Sequence, residues 1–248
     1  MSFGFKFIED LVARAGAVID FDERRGEDGG PRLALTRAGD PSADAGFLRL
    51  WAGASPSLVD RMIHVRLRAA PVDTQLLFLF GRSETAMPHL HAQVVEFGAD
   101  ACIFNTDFLP RLDPVEHPDY YTQVFGPLSK PYWRAVNDRD NACSLAPANP
   151  AMAAYLSPWS IGVARPTGRA ELDRVAPQIH AFFDHYLALG VDLEYAPGDA
   201  GELRDRDRRH LEIFFSDRLD PRAWKGVYSI LGETAGREIK EILRTSLS

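Results

Sequence analysis

The chain has 248 residues, of which 46% are hydrophobic and 25% are charged, and its formal net charge is −7. This composition is typical of a globular protein, and the length suits one large domain, which we predict to span residues 1–248. The acidic balance argues against general affinity for nucleic acids, because nucleic-acid-binding domains usually carry a basic surface. No segment approaches the roughly 20 consecutive apolar residues of a membrane span.

Two further features bear on the compartment. Acidic residues lie within the first ten positions, and no apolar run of the kind found in signal peptides follows them. Cys102 and Cys143 belong to no CxxC pair and have no clustered histidine. We therefore predict a cytoplasmic protein with two reduced, mostly buried thiols, without a disulfide framework or a structural zinc site.

The first predicted element is an amphipathic helix at residues 3–19, where apolar residues recur at helical spacing. A charged, glycine-rich loop is predicted at residues 20–31. Six apolar segments of strand length follow between Leu33 and about Leu109, with brief turn signals between them. Because connections this short cannot hold crossover helices, we expect an antiparallel meander.

After Leu109 the pattern becomes helical. The segment 157–166 is expected to return a strand or to form a pocket loop. Helices are predicted at residues 119–125, 131–137, 149–156, 170–189, 201–216 and 222–247. Strands followed by helices favour an α+β fold, a sandwich in which helices pack on the faces of one antiparallel sheet.

Several common catalytic motifs are absent from the sequence. There is no GxGxxG after a strand, no phosphate-binding P-loop, no HExxH and no GxSxG. A nucleotide, nicotinamide or zinc-hydrolase function therefore has no motif to support it. Any redox chemistry would have to take its electrons from outside the chain.

The first candidate site lies in the predicted strand that contains His89, His91 and Gln93. Alternate side chains of a strand share one face, so these three polar groups would line one face and Leu90 and Ala92 the other. One interpretation is a pocket wall that donates hydrogen bonds and protons, since histidine titrates near neutral pH. The other is an exposed outer face, which is the usual arrangement in an antiparallel sheet.

Two aspartates form the next candidates. Asp107 ends an apolar strand and Asp220 precedes Pro221. Either can be a simple turn or helix-cap residue. Basic residues between Lys130 and Arg244 have two interpretations. They can belong to helix faces that simply point into solvent, or they can dock an acidic protein and bind substrate carboxylates.

Together these segments resemble two related enzyme families. The stretch 104–113, FNTDFLPRLD, with His117-Pro118-Asp119-Tyr120 after it, resembles red chlorophyll catabolite reductase. Leu219-Asp220-Pro221-Arg222 and Ser157-Pro158-Trp159 resemble segments of the ferredoxin-dependent bilin reductases. The resemblance extends from about Leu76 to the C-terminus.

The resemblance implies an α/β/α sandwich with a central antiparallel sheet flanked by helices. It also implies an open-chain tetrapyrrole bound between the sheet and the C-terminal helices. Reduced ferredoxin would supply single electrons and side chains would supply protons, without a metal or a tightly bound cofactor. The function expected from it is the reduction of a linear tetrapyrrole, with biliverdin favoured, by a monomer or a homodimer.

The resemblance assigns roles to individual residues of this chain, position by position. The resemblance implies catalytic roles for Asp220, His91 and Gln93, and Gln93 stands where both families place a carboxylate. An amide cannot deliver a proton, so protonation would fall to a histidine or to Asp220. The residues expected to bind substrate are His89, Asp107, Arg165, Arg222 and Lys225.

Three other functions remain open on the sequence. The substrate can be the red chlorophyll catabolite instead of biliverdin. The protein can be a bilin carrier without catalytic activity, which the glutamine at position 93 favours. It can also be a structural domain that binds no ligand.

Overall fold

The computed structural model of the chain describes residues 2–137, 151–163, 165–195 and 198–247. Within them the helices are α1 (Phe3–Val18), α2 (Pro118–Val124), α3 (Ser129–Asn137), α4 (Arg169–Asp192), α5 (Ala200–Phe214), α6 (Pro221–Leu231) and α7 (Glu233–Arg244). The strands are β1 (Phe21–Glu23), β2 (Leu33–Arg37), β3 (Asp40–Gly53), β4 (Val59–Ala69), β5 (Val72–Gly81), β6 (His89–Phe97), β7 (Ala101–Leu109), β8 (Ile161–Gly162) and β9 (Thr167–Gly168).

The strands form one antiparallel sheet in the order β1-β3-β4-β5-β6-β7-β8, and β2 and β9 pair with β3 and β7. The predicted meander is confirmed, because β3 to β7 pair in chain order. Each turn between them is too short to carry the chain across the sheet. Strands β5, β6 and β7 stand side by side, from the middle of the sheet toward the edge formed by β8.

Each face of the sheet is covered by its own set of helices. On one face, Leu77, Leu90 and Ala92 belong to a buried cluster with residues of α1 to α4. On the other, Ile63 and Phe78 belong to a second cluster with residues of α5 to α7. Because both faces are buried, the fold is the predicted α+β sandwich of three layers.

Helix α1 shows how the sequence determines one of these layers. Ser2 is its N-cap, and the Ser2 hydroxyl accepts a hydrogen bond from the backbone N–H of Phe5. Ile8, Leu11 and Ala15 follow at helical spacing and are completely buried. The helix therefore lies with this stripe on the sheet, as the apolar spacing predicts.

The prediction of one helix at residues 222–247 is wrong, because the chain forms α6 and α7 there. Gly232 separates the two helices with a φ of 82° and a ψ of 165°. This backbone conformation favours glycine and ends a right-handed helix. The predicted loop at residues 20–31 also contains the short strand β1, which pairs with the end of β3.

Other sequence predictions stand as follows. In the predicted segment 157–166, residues 157–160 form a loop that leads into β8. The predicted helix at 149–156 begins outside the described residues, and its described part holds a short 3₁₀ turn at Met152–Ala154. Cys102 is buried and free, as predicted, and Cys143 lies outside the described residues. In the described part of the chain, no helix is long and apolar enough to cross a membrane.

Gly46 allows the irregular pairing of β2 with β3. The register shifts beyond the Leu35–Gly46 pair, and Gly46 has a φ of 128°. A Cβ atom there would lie 2.0 Å from the Arg66 carbonyl oxygen. We expect Gly46→Ala to lower the free energy of unfolding by about 1–3 kcal/mol, measured by urea denaturation.

The matched control is Gly16→Ala in α1, where a Cβ atom would meet nothing within 4 Å. This change is expected to stabilise the protein by up to about 1 kcal/mol. Equal stabilities of the two variants would contradict the explanation given for Gly46.

Candidate functional site

Four polar side chains of β6 and β7 lie on one face, the face that α5 to α7 cover. His91 pairs with Asp107, and Gln93 pairs with Asn105. Directly opposed residues on adjacent strands project to the same side, with Cβ atoms about 4.5–5.5 Å apart. These four residues, His91, Gln93, Asn105 and Asp107, are called the polar patch below.

The polar patch is next to an aromatic surface. The His91 ring stacks on Phe78 of β5, with 4.6 Å between ring centroids, and Phe215 meets Phe78 edge to face at 5.3 Å. His91 is only 9% exposed. The predicted grouping of His89, His91 and Gln93 on one face is therefore confirmed, and the alternative of an exposed outer face is wrong.

One ring nitrogen of His91 is a notable feature of this layer. Its Nδ1 atom is buried and has no hydrogen-bond partner among the described residues. Burial lowers the pKa of His91 to about 4, so the ring is neutral near pH 7. A buried polar atom without a partner costs free energy, and a ligand that pairs with it recovers that cost.

Asp107 is completely buried and holds the loop that follows residue 156. Its Oδ2 atom accepts a hydrogen bond from the Ser157 backbone N–H at 2.7 Å, and its Oδ1 atom lies 2.5 Å from the Ser157 hydroxyl oxygen. Burial raises the pKa of Asp107 to about 8, against the smaller lowering effect of these hydrogen bonds. Asp107 is therefore neither a turn residue nor a helix cap.

Two amides continue the polar patch beyond His91 and Asp107. Gln93 and Asn105 are both partly buried. The Asn105 Nδ2 atom donates to the Ser160 hydroxyl at 2.8 Å, which fixes the orientation of that amide. The two amides can offer both donors and acceptors to a ligand.

His89 is held entirely by protein groups. Its Nδ1 atom accepts a hydrogen bond from the Gly81 backbone N–H at 3.1 Å, and its Nε2 atom lies 2.8 Å from Asp207 Oδ1. Since Nδ1 is an acceptor, Nε2 carries the proton and donates to the carboxylate. Arg111 also contacts Asp207, at 3.4 Å. His89, Arg111 and Asp207 are called the buried triad below.

His210 was not anticipated from the sequence. It lies on α5 three residues after Asp207, so the two side chains share the helix face that meets the sheet. The His210 ring stacks on Tyr155, with 6.1 Å between centroids. Burial lowers the pKa of His210 to about 4, so it too is neutral near pH 7.

The remaining predicted site residues lie at the surface or at a helix end. Asp220 is the N-cap of α6, and its Oδ1 atom accepts from the Ala223 N–H at 3.0 Å. This bond is the one that a helix-cap role predicts. Arg222 and Lys225, in the first turns of α6, and Arg165, after β8, have exposed side chains.

Some of the site residues that were not predicted nevertheless carry a signal in the sequence. The spacing Asp207-x-x-His210 on an arginine-rich helix indicates a polar inner face, and Ser157 belongs to a motif already singled out. No local signal indicates that Asp207 reaches His89, which is 118 positions away. In the described residues, no group of three histidine, cysteine, aspartate or glutamate side chains is placed to hold a metal ion.

Comparison with known proteins gives a likeness of fold. No protein-family model and no curated protein sequence matches the chain. Among solved structures, a crystal structure of phytochromobilin synthase from tomato in complex with biliverdin matches with a TM-score of 0.73 and 12% sequence identity. The match covers 96% of this chain and 81% of the tomato chain. At this identity the comparison shows a shared fold.

Proposed function

We propose that the protein binds a linear tetrapyrrole, with biliverdin favoured, at the polar patch and reduces it with electrons from a ferredoxin-like protein. The observation that carries the proposal is the buried Nδ1 atom of His91, which has no hydrogen-bond partner in the described part of the chain and lies in the layer between the sheet and α5 to α7. The shared fold of the biliverdin-bound synthase supports the same ligand class.

The chemistry of the site suits such a ligand. A bilin is a flat conjugated chain with pyrrole N–H groups and lactam oxygens. The stacked rings of Phe78 and His91 give the polar patch an aromatic neighbour beside which such a chain can pack. The His91 nitrogen and the amides of Gln93 and Asn105 offer the hydrogen bonds that would orient it. Predicted catalytic roles for His91, Gln93 and Asp220 remain part of the proposal.

Electrons would enter from outside the chain. Arg222 and Lys225 project into solvent from the first turns of α6. Exposed cations of this kind speed the approach of an acidic carrier such as ferredoxin. The substrate carboxylates are the alternative partners for these two side chains and for Arg165.

The ligand is tested by titrating the protein with biliverdin and following the pigment absorption. We expect saturable binding, and about tenfold weaker binding by His91→Ala, the equivalent of one hydrogen bond of about 1.4 kcal/mol. His180→Ala is the matched control, because His180 stacks on Phe7 of α1, on the other side of the sheet. Equal affinities of the two variants would place the ligand elsewhere.

A non-catalytic bilin carrier is the second candidate. Gln93 favours it, because an amide cannot donate an acidic proton, and so does the neutral state of His91. A carrier would bind biliverdin and keep its spectrum unchanged when reduced ferredoxin is added. The two functions therefore differ in turnover and not in affinity.

A further inference from the structure

The Asp107–Ser157 pair contains a hydrogen-bond arrangement that depends on protonation. The Ser157 hydroxyl oxygen lies 2.5 Å from Asp107 Oδ1 and accepts a hydrogen bond from the Trp159 backbone N–H at 3.1 Å. A hydroxyl has one hydrogen and two lone pairs. The Trp159 N–H occupies one lone pair of the Ser157 oxygen. Whether Ser157 donates to Asp107 or accepts from it therefore decides which group receives the Ser157 hydroxyl hydrogen.

Two arrangements follow. If Asp107 is ionised, the Ser157 hydroxyl must donate its hydrogen to the carboxylate. If Asp107 is protonated, its own hydrogen occupies the second lone pair of the Ser157 oxygen. The Ser157 hydrogen is then free to donate to a third group.

The surroundings of Asp107 favour the protonated form. The carboxyl is completely buried, and burial is the main cause of its raised pKa. Across the strand pair it faces His91, which is neutral near pH 7. From α2, Tyr121 lies near enough for Asp107 to add slightly to the raised pKa that burial gives its phenol. Neither neighbour brings a positive charge that would ionise the carboxyl.

Ser157 bonds a carboxyl on the face of the sheet where we place the ligand. The residues just before it, Tyr155 and Leu156, pack in the layer between the sheet and α5 to α7. Asp107 belongs to the polar patch together with His91. A hydrogen released from the Asp107–Ser157 bond is therefore on the side of the sheet where we place the tetrapyrrole.

We propose that Asp107 stores the proton for the reduction and that the Ser157 hydroxyl transfers it to the tetrapyrrole. This inference rests on the proposed function and supplies the acid that Gln93 cannot provide. After one electron arrives from the carrier protein, the Ser157 O–H bond breaks and its proton moves to the bilin radical anion. The Asp107 proton moves to the Ser157 oxygen, which leaves a carboxylate that solvent reprotonates before the next step.

The first test needs no ligand. Infrared spectra of the wild-type protein should contain a carboxylic acid C=O band that disappears as the pH rises through about 8. Asp107→Asn should lack this band. Absence of the band from the wild-type spectrum at pH 6 would overturn the inference, whatever ligand the protein binds.

The second test follows the radical after rapid reduction of bound biliverdin. We expect radical decay about 100-fold slower in Ser157→Ala, the size of a typical general-acid effect. Ser157→Thr, which keeps the hydroxyl, should recover most of the rate. In the wild type the radical decay should slow as the pH rises through about 8, and it should show a solvent deuterium isotope effect. In Asp107→Asn the pH dependence and the isotope effect should both vanish.

The outcomes separate the two proposals. Decay in Ser157→Ala at the wild-type rate, with biliverdin bound and reduced, would overturn the proton relay and leave the reductase function standing. Failure of the wild-type protein to bind biliverdin would overturn the proposed function itself. Retained biliverdin binding by Ser157→Ala shows that the loop is still folded.

Discussion

Replacing Asp207 with alanine should lower the free energy of unfolding by about 3–5 kcal/mol. Asp207 is 4% exposed, and its carboxylate accepts a hydrogen bond from His89 and forms an ion pair with Arg111. Burial works against its ionisation, but these two partners hold the pKa of Asp207 below its ordinary value. The substitution removes the ion-pair partner of the Arg111 guanidinium, which is 1% exposed.

Chemical denaturation measures this loss. Asp205→Ala is the matched control, because Asp205 lies on the same helix with an exposed side chain. The control should change stability by about 0.5 kcal/mol or less. A loss below about 1 kcal/mol for Asp207→Ala would mean that the buried triad does not anchor α5 to the sheet.

Replacing Asp107 with asparagine should change how stability depends on pH. Burial raises the pKa of Asp107 to about 8 in the folded protein, against a reference of 3.8. Between these values the unfolded chain releases the proton while the folded protein keeps it. The free energy of unfolding of the wild type therefore falls by up to about 1.4 kcal/mol per pH unit as the pH rises. Below pH 4 and above about pH 8 this contribution is constant.

Asparagine does not titrate and can keep similar hydrogen bonds to Ser157. The stability of Asp107→Asn relative to wild type should therefore rise by about 3 kcal/mol between pH 5 and pH 7. Denaturant titrations at several pH values measure the difference, with the exposed Asp205→Asn as the reference. A difference that stays constant over this range would show that Asp107 is ionised in the folded protein.

The sheet was predictable because its signals are local. Each of β2 to β7 is an apolar segment between turn residues, and the short turns allow only antiparallel pairing. The break between α6 and α7 was missed because Gly232 lies between two segments of the same helical periodicity. A lone glycine inside such a pattern is compatible with a continuous helix, and its φ of 82° is not visible in the sequence.

The site was only partly predictable for a related reason. The alternation of His89, His91 and Gln93 follows from strand geometry alone. Whether that face is open or covered depends on where α5 to α7 pack, which no local pattern determines. The different environments of His89 and His91 likewise come from distant partners, since Asp207 and Gly81 occupy both nitrogens of His89.

The central claim, that the protein reduces a linear tetrapyrrole, is tested most directly by an anaerobic absorption time course. The purified protein is mixed with biliverdin and then given ferredoxin, ferredoxin reductase and NADPH. The account predicts a bound-pigment band that decays to the spectrum of a reduced bilin, at a rate that depends on ferredoxin. A pigment band that forms and then never changes would contradict it and favour the carrier function.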